Sequence, residues 1–134
     1  MDEAAGTSPR ASRCLRLKID LEEQFGDVMA KYLFEAKYTV EGLKGLKTEG
    51  ASVREKAVAS LAESVGGKLE AFYIAFGDTD VYAIIDFPDN SAAAAAALAV
   101  AEGGGASVRT VVLLSAKEID DATKRGVIYR PPGR

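Results

Sequence analysis

The chain has 134 residues, 48% of them hydrophobic and 28% charged, with 17 Lys and Arg against 20 Asp and Glu for a net charge of −3. That is enough chain for one globular core and too little for two. It holds no His, no Trp and one Cys, which excludes a Ser-His-Asp triad, a Cys-His pair, a His-ligated metal, an internal disulfide and a cysteine-cluster zinc site. No cofactor and no metal is expected, and any chemistry falls to carboxylates, Tyr, Lys and Arg.

Charges of both signs are spread along the chain. There is no basic stripe and no interleaving of aromatics with Arg or Lys, so nucleic acid is not an expected partner. The most apolar run, residues 92–101, is ten residues long, about half of a membrane span. Arg10, Arg13 and Arg16 are followed by no apolar stretch of signal-peptide length. No membrane partner is expected, and the location expected is cytoplasmic.

Residues 1–28 read as an N-terminal extension, disordered or non-native, with Met29 as the natural start. Residues 4–12 are small, polar and Pro-containing, residues 15–25 offer a short amphipathic turn, and Cys14 reads as an incidental thiol. From Met29 onward, to residue 134, the chain reads as a single domain. Residues 31–38 are rich in Tyr, Phe and Leu and predict a strand. Thr39 caps a short helical segment to Leu46, loosened by Gly42, Gly45 and Gly50. Val53, Ala57, Val58, Leu61, Ala62 and Val65 then form one helical stripe that Gly66-Gly67 stops.

Residues 68–76 and 80–87 predict two strands joined at Gly77-Asp78-Thr79-Asp80. Pro88-Asp89-Asn90-Ser91 caps an alanine helix to Glu102, Gly103–Gly105 breaks it, and residues 107–114 predict a fourth strand. Ser115 and Glu118 have the spacing of a capping box opening a last short helix toward Arg125. The order β-α-β-β-α-β is the ferredoxin-like α+β arrangement, with a four-stranded antiparallel sheet.

Strands covered on one side alternate apolar with polar residues; the middle strands here do not. Pairing Phe76 with Val81 places Phe72, Ile74, Phe76, Val81, Ala83, Ile85 and Phe87 on one face. The other face then carries Leu69, Ala71, Tyr73, Ala75, Tyr82, Ile84 and Asp86. Both helices of this topology lie on one side, so the second face needs a cover. A second copy supplies it, giving a homodimer or larger homo-oligomer built as a dimeric α+β barrel. Hiding about 500 Å² of apolar surface per chain is worth about 12 kcal/mol before association costs.

The face with Tyr73, Tyr82 and Asp86 is the expected barrel interior, joined by Arg109, with Tyr38 and Asp80 nearer the rim. A few polar groups on an apolar wall suit a small apolar or aromatic metabolite. The same tyrosines also suit hydrogen bonds across a dimer seam, and Arg109 a strand-edge ion pair. Asp80 has two readings as well: a general base at the barrel mouth, or a turn residue accepting backbone N–H groups beside Gly77.

Residues 29–34, the Tyr38-Thr39-x-Glu41-Gly42 step, residues 76–81 and Pro88-Asp89-Asn90 resemble the bacterial GYD-domain family, over a span from Met29 to the Tyr129-Arg130-Pro131-Pro132-Gly133 tail. The resemblance implies a dimeric α+β barrel, a group that includes cofactor-free monooxygenases, muconolactone-type isomerases and stress-related barrels. Gly77 and Asp80 match the Gly and Asp of the family's naming motif, while Thr79 stands where its Tyr belongs, so no phenol acts from that position. The leading expectation is a barrel binding a small metabolite, with cofactor-independent acid/base catalysis left open. The alternative is a non-catalytic oligomeric interaction or stress-response module.

Overall fold

A computed structural model describes residues 29–134. The expectations for residues 1–28, including Cys14, lie outside the described residues. The elements run β1 (Ala30–Tyr38), α1 (Val40–Glu49), α2 (Ala51–Ser64), β2 (Lys68–Ile74), β3 (Val81–Phe87), α3 (Asn90–Glu102), β4 (Ala106–Leu113) and α4 (Ala116–Thr123). The strands form one sheet in the order β2-β3-β1-β4, with every neighbouring pair antiparallel. This is the ferredoxin-like α+β fold expected from the chain order.

Local chemistry sets the boundaries. Thr39 caps α1, its hydroxyl accepting from Gly42 N at 3.1 Å, while its own N–H donates to Gly105 O at 2.9 Å. The helix continues past Leu46 to Glu49, and Gly45 does not stop it. Gly66, at φ +82°, ends α2 by taking the left-handed conformation that costs a glycine little. Asp89 Oδ1 accepts from Ala92 N at 2.8 Å to start α3, and Ser115 and Glu118 form the capping box of α4.

The core lies between the sheet and the α2/α3 layer. Tyr32 and Phe34 of β1, and Val81, Ala83, Ile85 and Phe87 of β3, are buried there with Ala62 of α2 and Ala93 and Ala96 of α3. Phe87 is fully buried, its ring centroid 5.5 Å from both Tyr32 and Phe34. Tyr32 closes its polar end by donating its hydroxyl proton to Asn90 Oδ1. The alanines of α3 let that helix settle close on the sheet.

Two expectations about the middle hairpin are corrected. Val81 pairs with Ile74, not Phe76. The strand ends at Ile74, Ala75 N donates to Asp80 O at 2.8 Å, and Phe76 stands fully exposed in the loop. Leu69 lies on the core side, not with Tyr73, because the register shifts between Leu69 and Ala71. The extra residue, Glu70, is a β-bulge that inverts the alternation on one side of it.

Candidate functional site

The face of the sheet turned away from α2 and α3 is built in rows, because residues opposite one another on antiparallel strands share a side. Ala71, Ile84, Leu33 and Val111 make an apolar central row across all four strands. Toward the hairpin lies the row Tyr73, Tyr82, Glu35, Arg109; toward the opposite end lies Lys68, Asp86, Lys31, Leu113. Tyr73 is 70% exposed and Tyr82 39%.

Of the six residues singled out in the sequence, this face brings together Tyr73, Tyr82 and Arg109. Asp86 belongs to the opposite end row. Lys31 Nζ donates to Asp86 Oδ1 at 3.0 Å and also to Glu70. Those bonds, to Glu70 first and Asp86 second, raise the Lys31 pKa above 10.5. Asp86 is therefore matched with Lys31 rather than Arg109, and Arg109 stands opposite Glu35. Asp80 is engaged by β1: its carboxylate accepts from Tyr38 N at 2.9 Å, lies 3.9 Å from Lys37 Nζ, and its own N–H donates to Ala36 O at 2.9 Å.

Tyr38 is on the other side of the sheet. It helps to line a chamber of about 130 Å³ walled by Phe34, Ala36, Phe72, Val81 and Ala83 of the sheet and by Ala57, Val58, Leu61 and Val100 of the helices, with Arg54 at its edge. Alanines at 36, 57, 83 and 106 create the space, since each stops short where a larger side chain would fill it. A second, more polar cleft of about 320 Å³ adjoins it, sharing Tyr38, Arg54, Val100 and Ala106, and is completed by Gly42, Gly45, Leu46, Glu49, Ala99, Gly103 and Gly105.

Desolvation raises the Tyr38 pKa above 10.0; the nearby Arg54 charge opposes that shift and the Asp80 charge adds to it. The phenol is accordingly a proton donor at neutral pH. Arg54 Nε is buried without a hydrogen-bond partner, the Glu49 carboxylate lying 3.5 Å away outside hydrogen-bonding geometry. Arg54 was legible in the sequence as a cation on an apolar stripe, three and four residues before Ala57 and Val58. Glu35 and Glu70 show their roles only once strand register is known.

The arrangement defines a ferredoxin-like sheet protein with its core between one sheet face and α2/α3, a second face whose central row is half-buried, and an apolar chamber under the helices. The family model of the GYD domain matches residues 32–123, from β1 to the end of α4. The chain belongs to the GYD domain family. No curated protein matches it. Among the described residues no helix is long and apolar enough to cross a membrane.

Proposed function

We propose that the protein works as a homodimer in which two copies lay their second sheet faces together as a dimeric α+β barrel, holding a small apolar or aromatic metabolite between them. The observation that carries this reading is the apolar row Ala71–Ile84–Leu33–Val111 on the sheet face turned away from α2 and α3. Four strands of this length present about 19 Å by 23 Å. With the polar end rows included, about half of that face is apolar, so the seam gains about half of an all-apolar one.

Tyr73, Tyr82, Glu35 and Arg109 form one polar end of the space between the sheets and supply donors and acceptors to orient a ligand. The Lys31–Asp86–Glu70 cluster closes the other end. The protein is read as a binding protein first. Acid/base catalysis there falls to Glu35, because Asp86 is already matched with Lys31.

Sedimentation velocity across micromolar concentrations tests the assembly. The wild type is expected at twice the chain mass and Ile84→Lys at the chain mass, because a Lys ammonium in the seam cannot be solvated. A wild type that remains monomeric refutes the barrel. Quinones and phenols are then expected to raise the melting temperature of the wild type but not of Arg109→Ala. Silence across that panel with an intact dimer leaves the interaction module as the function.

A further inference from the structure

The chamber under the helices lies on the opposite side of the sheet from the proposed seam. It combines three features not needed for folding. It is a ring-sized apolar void bounded by alanines from four elements. It opens beside a more polar cleft through shared walls. At that junction stand two proton donors, the Tyr38 phenol and the Arg54 guanidinium, whose Nε is ion-paired with Glu49 at 3.5 Å but makes no hydrogen bond. A guanidinium nitrogen shielded from solvent at a cavity mouth and held only by an ion pair leaves a hydrogen-bond position open to a second acceptor.

We propose that each protomer binds a small monocarboxylate with an apolar, ring-sized body in this chamber, the body between the sheet and α2/α3 and the carboxylate on Arg54 and the Tyr38 hydroxyl. The volume selects the body: an apolar cavity of about 150 Å³ accepts benzene, so 130 Å³ takes a phenyl ring or a branched chain of about five carbons. The donors select the head. Arg has no acceptor, and a protonated phenol beside it favours an anion with two oxygens over an amine or a neutral ring. Glu49, about half exposed and ion-paired with Arg54 without a hydrogen bond, turns to water when a carboxylate arrives. The site does not depend on dimerisation.

The test is titration of the wild-type protein with phenylacetate and with 4-methylpentanoate, followed calorimetrically and by the methyl resonances of Val58, Val100 and Val108. Acetate, which lacks the body, is the control. Saturable binding is expected for both acids with shifts at those three valines, and none for acetate. Arg54→Gln is expected to weaken binding roughly tenfold or more, Ala57→Phe to abolish it by filling the chamber, and Arg109→Ala to leave it unchanged. Should Arg54→Gln fail to fold, Ala57→Phe and the valine shifts still decide. No saturable binding of either acid overturns the proposal. So does binding that leaves the three valines unmoved and is insensitive to Ala57→Phe. Loss of binding in Arg109→Ala alone would move the ligand to the other face of the sheet.

Discussion

Gly42 and Gly45 sit one turn apart on α1, and replacing each with Ala should move stability in opposite directions. Intrinsic helix propensity favours Ala by about 1 kcal/mol at either position. At Gly45 nothing lies within 4 Å of the added Cβ, so the gain is kept. At Gly42 the added Cβ falls 1.9 Å from Gly105 O and 2.9 Å from both Gly105 C and Tyr38 Cδ1. Two of those atoms are main chain and cannot rotate away, so α1 must lift from the α3–β4 connection. Lifting it stretches Thr39 N to Gly105 O, at 2.9 Å, and Thr39 Oγ1 to Gly104 O, also at 2.9 Å.

Two such bonds at about 1 kcal/mol each and an overpacking cost of about 1–3 kcal/mol exceed the propensity gain, leaving a net loss of about 2–4 kcal/mol. With about 4 °C per kcal/mol for a domain of this size, Gly45→Ala should melt a few degrees higher and Gly42→Ala about 8–16 °C lower. Thermal unfolding followed by circular dichroism, at one protein concentration so that any association is held constant, measures both. Equal shifts of the same sign would refute the argument that backbone contact at Gly105 dictates a glycine at position 42.

Phe87→Ala removes a fully buried ring and two aromatic contacts, a loss of about 3–5 kcal/mol that denaturant unfolding will show as a lower midpoint with the slope retained. In an ultraviolet titration, Tyr38→Phe should remove a phase that lies above the ordinary phenol range. The raised Tyr38 pKa means the folded chain holds this proton where the unfolded chain has lost it. Its contribution is therefore intact below about pH 10 and lost as pH rises through the folded value. Lys31, raised above 10.5 by Glu70 and Asp86, has the same sign and is lost as pH rises through its own folded value. It is half exposed, so its share is below about 1 kcal/mol, and Lys31→Met should flatten the alkaline limb only slightly.

Element order and topology were legible because the signals were local: Thr39, Asp89 and Ser115 as caps, Gly66 as a stop, and one continuous stripe from Val53 to Val65. The double-sided apolar character of β3 was legible for the same reason. Parity in β2 was not, since it assumes unbroken alternation and Glu70 interrupts it, which misplaces Leu69; Phe76 was misplaced separately, because the strand ends at Ile74 and the hairpin loop is longer than its Gly-Asp turn signal suggests. Tyr73, Tyr82 and Arg109 do share a row. The separation of Asp86 from that row, and of Tyr38 from the face altogether, depends on register and on which side of β1 points at the helices. The chamber was illegible for a further reason: a void is the joint product of alanines at 36, 57, 83 and 106, and no single position announces it.

The join between Gly42 and Gly105 is peptide against peptide, with 3.7 Å from Gly42 Cα to where a Cβ on Gly105 would stand. The cleft beside the chamber is thus framed in part by backbone, while the chamber itself is furnished by side chains. A descendant of this sequence can trade alanine for valine inside, and so change its guest, without rebuilding the threshold.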